Sequence, residues 1–410
     1  MASPSRPNWR IAEAPAPPMA SLTDDLIAAI LIRLPTLNDF GRAAAACPTF
    51  RRVIADPAFL RRVHSLHPPL LLGFLISDGG FRPAEPPYPS APAGRAVARA
   101  ADFRYSFLPS PSRWVVRDAR DGRVLLDRSD EANDIFAKLA VCDPLFRRFV
   151  VLPPIPEDLA AAVQEPHTLN HERKFEVFLV PLSQEEEAAQ TSFRVIWMAQ
   201  CPTKLVTFIF SSVSGQWHAV ASPSWHDLNP AKSFVKRPVM FFRSYAYGCF
   251  YWMMSISANF LVLNMATMQF SLLRYPSKFS FQASIIVEAG EGRLGMFSFN
   301  SRFGESCELD IFSTSRPNQG EGASEWKSMR GAVLPYQYRY QILGVANGRL
   351  LIQGDLEYVD EDDLPPNVEV LSIALDTDYE SVCGMIDVPA SCLHPLSLLG
   401  YPPSISSPSI

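Results

Sequence analysis

The sequence predicts an α+β chain of two unequal parts, a small N-terminal helical domain followed by a large all-β domain. Three observations predict it. Between residues 21 and 67 apolar side chains recur at spacings of three and four, the period of a helix face. From about Phe103 onward, short runs of Val, Ile, Phe, Tyr and Leu alternate with Gly, Pro, Ser, Asn and Asp, and no long helical period interrupts them. Within that second part a short Gly-Arg pattern returns at intervals suited to a repeated sheet unit.

Composition sets the outer bounds. At 410 residues the chain exceeds one ordinary domain, and 48% hydrophobic against 19% charged residues suits buried cores. The net charge of −5 is mild, which gives no reason to expect nucleic acid or an anionic membrane as partner. Residues 1–150 hold 20 Lys+Arg against 15 Asp+Glu, so the first part is slightly basic and the remainder acidic. The seven cysteines are scattered without a CxxC pair, which fits a reducing compartment. Residues 1–20 read as a Pro/Ala tail without an apolar secretory core. The longest apolar stretch, Cys249 to Leu263, is broken by Ser255, Ser257 and Asn259 and is shorter than the ~20 residues of a membrane helix. A cytoplasmic or nuclear protein is the expectation.

The helical domain, 21–67, can be read turn by turn. Thr23 is placed to cap a helix whose first turn carries Asp24 and Asp25, both favourable at its positive end. Leu22, Leu26, Ile27, Ile30, Leu31 and Leu34 follow as a broad apolar face, and Pro35 stops it. Thr36 with Asp39 opens a second helix carrying Leu37, Phe40, Ala44 and Cys47 on one face. A third segment after Pro48 carries Phe50, Val53 and Ile54. Asp56-Pro57 then starts a fourth, with Phe59, Leu60 and Val63. Helices this short cannot bury so much apolar surface among themselves, so a surplus must face another domain or protein.

The run from Ser21 to Phe74 resembles the F-box and its immediate extension in plant F-box proteins, particularly the large grass families. The elements that carry the likeness are Leu22, Asp25-Leu26, Ile30-Leu31, Arg33-Leu34-Pro35, Cys47, Arg51-Arg52-Val53-Ile54, Asp56-Pro57 and Phe59-Leu60-Arg61-Arg62, closed by His67-Pro68-Pro69-Leu70-Leu71-Leu72-Gly73-Phe74. Two positions depart from that pattern: Thr23 stands where the family often has Pro, and Pro48-Thr49-Phe50 follows Cys47 where Lys or Ser and then Trp are common. The resemblance implies a helical unit that docks on a Skp-type adaptor and through it on a cullin. It implies a contact surface drawn from Leu22, Leu26, Ile30, Leu31, Leu34, Pro35, Leu37, Phe40, Phe50, Val53 and Ile54, with some of these turned into the core. A looser resemblance, to the β-rich domain that follows the F-box in such proteins, extends over the rest.

The β domain is expected over 68–400, with a Pro-rich loop at 79–94 and a tail at 401–410. The Gly-Arg pattern occurs at Asp121-Gly122-Arg123, Glu291-Gly292-Arg293 and Asn347-Gly348-Arg349, with a looser version at Tyr247-Gly248. Gly248 to Gly292 is 44 residues and Gly292 to Gly348 is 56, close to the length of a four-stranded propeller blade. Candidate strands group by fours from Trp114, Phe175, Val239, Ser284 and Gln341, and Leu70–Ser77 with Phe103–Leu108 supply a sixth group that the C-terminal tail could join. A β-propeller of about six blades is the prediction, with a large β-sandwich as its rival.

No catalytic or cofactor constellation emerges. Gly290-x-Gly292-x-x-Gly295 satisfies the dinucleotide spacing, but the residues after it read as strand where the chemistry requires a helix N-terminus. His64/His67 and His167/His171 have ligand-like spacing without further ligands beside them, and Asp360–Asp363 reads as a solvated acidic loop. The sequence therefore predicts a non-catalytic protein without cofactor or metal. The resemblance implies substrate recognition in an SCF-type ubiquitin ligase, the β domain selecting a target protein of unknown identity. The alternative is a propeller-based ligand-binding protein or enzyme.

Overall fold

The computed structural model describes residues 22–34, 37–56, 58–59 and 62–63, and then, from 71 to 399, the strands and most of their shorter connections. The longer stretches outside the described residues are 129–134, 167–174, 182–191, 229–239, 277–283, 316–324, 357–366, 375–381 and 390–395, besides 64–70 and both ends. The chain divides into two units, Met1–Pro68 and Pro69–Ile410.

The first unit holds α1 (Asp24–Leu31), α2 (Leu37–Ala46) and α3 (Pro48–Ile54). The Thr23 hydroxyl accepts from the Leu26 N–H at 3.4 Å, and two acidic residues occupy the first turn, so the predicted cap forms. Pro48 opens α3 at its first position, where a missing N–H costs nothing. Asp56 Oδ1 accepts from the N–H groups of Ala58 and Phe59 and starts the next turn. Ile27, Leu31, Ile32, Phe40, Val53, Phe59 and Val63 form the core, with Phe40 and Phe59 edge to face at 5.8 Å.

The second unit is a ring of antiparallel sheets. Five are four-stranded meanders whose strands pair in chain order. They are β3 (Val115–Arg120), β4 (Arg123–Arg128), β5 (Lys138–Asp143) and β6 (Arg148–Val151); β7 (Glu176–Val180), β8 (Arg194–Gln200), β9 (Leu205–Ser211) and β10 (Gln216–Ala219); and β11 (Met240–Ala246), β12 (Cys249–Met254), β13 (Asn259–Asn264) and β14 (Gln269–Arg274). Next come β15 (Ser284–Glu288), β16 (Arg293–Arg302), β17 (Ser306–Ser315) and β18 (Lys327–Leu334), then β19 (Tyr338–Ala346), β20 (Arg349–Leu356), β21 (Asn367–Ala374) and β22 (Val382–Pro389). The sixth sheet joins the two ends of the unit: β1 (Leu71–Leu75) pairs with β2 (Phe81–Pro83) on one side and with β23 (Leu396–Leu399) on the other. The first strands of the meanders pack side by side, β23 against β3, β3 against β7, β11 against β15 and β15 against β19, and β19 returns to β23. This is a propeller of six blades in which a C-terminal strand closes the ring beside an N-terminal one.

The core lies between blades. Side chains of a strand alternate between its two faces, and here both faces are covered, so central strands are apolar throughout. In β12, Phe250, Trp252 and Met254 pack toward the preceding blade, whereas Cys249, Tyr251 and Met253 pack toward the next. That two-sided burial is why the Cys249–Met254 run is so continuously hydrophobic.

Two sequence expectations need correction. Phe103–Leu108 forms turns, not a strand: the Asp102 carboxylate accepts from the N–H groups of Arg104 and Ser106, and Tyr105 adopts a left-handed φ of 55°. Phe103, Tyr105 and Leu108 are nonetheless buried, so the apolar pattern reflects burial without strand geometry. The Pro-rich stretch 79–94 is no bare loop either. It supplies β2, whose Pro83 sits at a sheet edge where no donor is needed, and it opens α4 (Ala91–Ala100). The Ser90 hydroxyl donates to the Leu71 carbonyl, and a Cβ on Gly94 would lie 2.3 Å from the Leu72 carbonyl oxygen, so α4 lies directly on β1.

Candidate functional site

The recurring Gly-Arg motif is, at its described positions, the turn between first and second strand of a blade; Asn347-Gly348 lies outside the described residues. Asp121 and Gly122 have φ of 51° and 70°, and Tyr247 and Gly248 have 46° and 76°, two consecutive left-handed residues as a two-residue hairpin requires. Gly290 and Gly292 are left-handed as well, and β16 begins at Arg293, so this segment is a turn between strands and opens no helix. These turns share one rim of the ring with the turns joining third to fourth strands. The connections after fourth strands, which carry α5 (Glu157–Ala160) and α6 (Trp225–Leu228), leave from the opposite rim, whereas α4 follows β2 from the tight-turn rim.

In the helical unit the structure sorts the predicted contact residues. Leu22, Leu26 and Ile30 are 37%, 53% and 60% exposed. Leu26 and Ile30, spaced by four, share one stripe of α1, and Leu22 stands just before its cap, while Ile27 and Leu31, one position on, turn inward. Leu31, Phe40 and Val53 belong to the unit's own core and are not surface groups. Leu34, Phe50 and Ile54 are half-buried against that core. Pro35 and the Leu37 side chain lie outside the described residues, as do both histidine pairs and the acidic run at 360–363. Arg52 grips Asp24 through both guanidinium nitrogens, one bond at 2.9 Å, tying α3 to the start of α1, and Arg51 Nε donates to the Ala44 carbonyl at 3.1 Å. The apolar stripe is thus carried on a helix pinned at its first turn.

Sequence reading missed a second feature, at the inner edge of the blade formed by β7 to β10. Two layers of side chains from three blades meet there. In the deeper layer Arg243 on β11 binds Asp118 of β3 through Nη2 at 3.0 Å and Glu176 of β7 through Nη1 at 2.6 Å. The remaining carboxylate oxygens accept from the Leu179 N–H at 2.8 Å and from Trp252 Nε1 at 2.9 Å, so all four are satisfied. Arg243 also lies 4.4 Å from the centre of the Phe178 ring. Bulges aim these groups: β3 shifts register between Val116 and Asp118, and β11 between Phe241 and Ser244, with Phe242 at φ 50°. The outer layer, nearer the tight turns, is different. Arg120 lies over the rings of Tyr245 and Phe250, at 5.1 and 5.9 Å, and no carboxylate among the described residues pairs with it. Burial pushes the Tyr245 phenol up, and the Arg120 charge partly opposes this. The signal available in the sequence was the charged residues set inside apolar strands, in VVRDAR and MFFRSYA.

Among the described residues no group of three or more His, Cys, Asp and Glu is arranged to hold a metal, and no helix is long and apolar enough to cross a membrane. An open cleft of about 460 Å³ lies between the second and third blades, lined by Arg194, Ile209, Ser211, Thr267 and Met268 among others.

The comparisons place the chain. Residues 115–331, from β3 into β18, match the family described as "F-box protein AT5G49610-like, beta-propeller". The chain belongs to this family of F-box-protein β-propellers. No curated protein matches the sequence. Solved structures with a related course include a lectin from Aleuria aurantia (10% identity, 68% of this chain and 79% of the lectin, TM-score 0.36). A chain of a nidogen/laminin complex aligns over 80% of this chain and 96% of its own length at 10% identity and TM-score 0.36. A prolyl endopeptidase aligns at 9% identity and TM-score 0.36; the match spans 90% of this chain but only 47% of the endopeptidase. At these scores the fold assignment rests on sheet topology and on the family match.

Proposed function

We propose that this protein is the substrate-recognition subunit of an SCF-type ubiquitin ligase. In this reading the N-terminal helices are an F-box of the plant, grass-type kind that docks on a Skp-type adaptor, which links it to a cullin. The propeller holds a target protein for ubiquitination, and the chain is a non-catalytic subunit acting in cytoplasm or nucleus. The observation that carries the reading is the exposed pair Leu26 and Ile30, with Leu22 just before them, on a helix fixed by the Asp24–Arg52 pair, in a chain whose propeller belongs to an F-box-protein family. A soluble unit keeps such a row in water only at a cost, and packing it against a partner helix removes the cost. Co-purification of the full chain with a Skp-type adaptor, and its disappearance on deleting residues 21–62, is the expected result. An undiminished complex after that deletion would overturn the assignment.

A further inference from the structure

The two arginines of the inter-blade stack differ in what compensates them. Arg243, in the deeper layer, is engaged by two carboxylates that are themselves fully hydrogen-bonded. Arg120, two residues after Asp118 on the same face of β3, has no ion pair and no hydrogen-bond acceptor among the described residues. Its Nε is buried, and two aromatic rings hold the guanidinium plane. A guanidinium keeps its charge at any physiological pH, and its terminal N–H groups form a fork that matches a carboxylate. Rings fix the plane of the fork without using those donors, so the ordering cost of binding is already met.

The surrounding charges narrow the ligand. Asp121 directly follows Arg120 in the chain, and Glu288 is bound to the hairpin that follows Tyr245. Glu288 Oε1 accepts from the Tyr247 N–H at 2.7 Å, and Asp121 occupies the left-handed turn position after Arg120. Two acids beside one cation disfavour a doubly charged anion more than a singly charged one. We propose that the Arg120 mouth is a carboxylate-recognition subsite on the tight-turn rim. It would take an acidic side chain, or a chain's terminal carboxylate, from an extended segment of the target protein. This deepens the proposed function and rests on the propeller being the target-selecting part.

The test uses the full chain against bead-bound synthetic heptapeptide libraries. One has Glu fixed at the central position, one Gln, one phosphoserine, all joined to the bead through their C-termini. A fourth contains no acidic side chain and displays a free C-terminal carboxylate. Wild-type protein should retain the Glu or the free-carboxylate library about tenfold more than the Gln library, as loss of a charged bidentate contact implies; which of the two wins identifies the source of the carboxylate. Arg120→Gln should abolish the preference and Arg120→Lys should keep only part of it, both with an unfolding midpoint near wild type. Should Arg120→Gln not fold, Arg120→Lys carries the test, because its stem keeps the ring packing while the fork is lost. Equal retention of the Glu, Gln and free-carboxylate libraries, a preference for phosphoserine, or a carboxylate preference that survives undiminished in a folded variant would each overturn the proposal. Adaptor binding is measured separately. Its loss alongside an intact carboxylate preference sinks the ligase reading and leaves this subsite standing.

Discussion

Single side chains carry two kinds of charge in this molecule, and they need separate tests. Arg243 neutralises Asp118 and Glu176, which reach it from two other blades. Replacing it by Met leaves two partly buried carboxylates facing each other without their shared cation. Breaking such a buried pair costs about 3–5 kcal/mol; discounted because Glu176 is about a quarter exposed, a loss near 2–3 kcal/mol is expected. Denaturant unfolding of Arg243→Met measures it, and a loss below about 0.5 kcal/mol would show the clasp to be ornamental. Tyr275 gives a pH prediction. Its oxygen accepts from the Met254 N–H and burial pushes its phenol well above the usual tyrosine range. The stability it contributes is whole below the unfolded value near 10 and is lost as pH rises above it. Unfolding free energy should therefore fall more steeply between about pH 10 and 11 in wild type than in Tyr275→Phe. Parallel curves would contradict this.

At the scale of elements, strand periodicity and turn chemistry were legible and context was not. The blade strands from Val115 to Pro389 fall within a few residues of where alternating apolar runs placed them, because strands buried on both faces leave a dense apolar record. The Gly-Arg motif was legible because a two-residue hairpin demands left-handed backbone. Phe103–Leu108 was misread because buried turns stabilised by Asp102 copy a strand's apolar spacing. Helix α4 hid within Pro/Ala composition, since its stability comes from packing on β1. Two glycines separate these causes. Gly248→Ala meets open space but keeps φ at 76°, so backbone strain alone should cost about 1 kcal/mol. Gly94→Ala drives a Cβ to 2.3 Å from the Leu72 oxygen and should cost more, about 2–4 kcal/mol. Chemical denaturation of both variants checks the ranking; equal losses would contradict the close approach of α4.

For the whole molecule, ring closure is the feature least visible in sequence, because it joins residues more than 300 positions apart. Leu396–Leu399 pairs with Leu71–Leu75, and nothing local marks either segment as the other's partner. Truncation before Leu396 removes the inner strand of that blade and uncovers Leu71 and Phe74, which are otherwise fully buried. The truncated chain should unfold with a lowered denaturant slope and bind a hydrophobic dye, whereas an unchanged midpoint and slope would mean that the ring does not depend on this strand.

The contact surface implied by family resemblance was legible as a set of eleven positions but not as a surface. Neighbouring residues such as Ile30 and Leu31 differ only in which side of α1 they occupy, and that depends on where α2 and α3 pack. The central claim is that the outer stripe of α1 docks the adaptor. Calorimetric titration of the purified full chain with a Skp-type adaptor tests it most directly, comparing wild type with Leu26→Asp/Ile30→Asp. Both residues are exposed, so the variant should keep its unfolding midpoint. The Kd should weaken by about 100-fold or more, as for two contact residues each worth at least about 1.4 kcal/mol. A Kd within about twofold of wild type would contradict it.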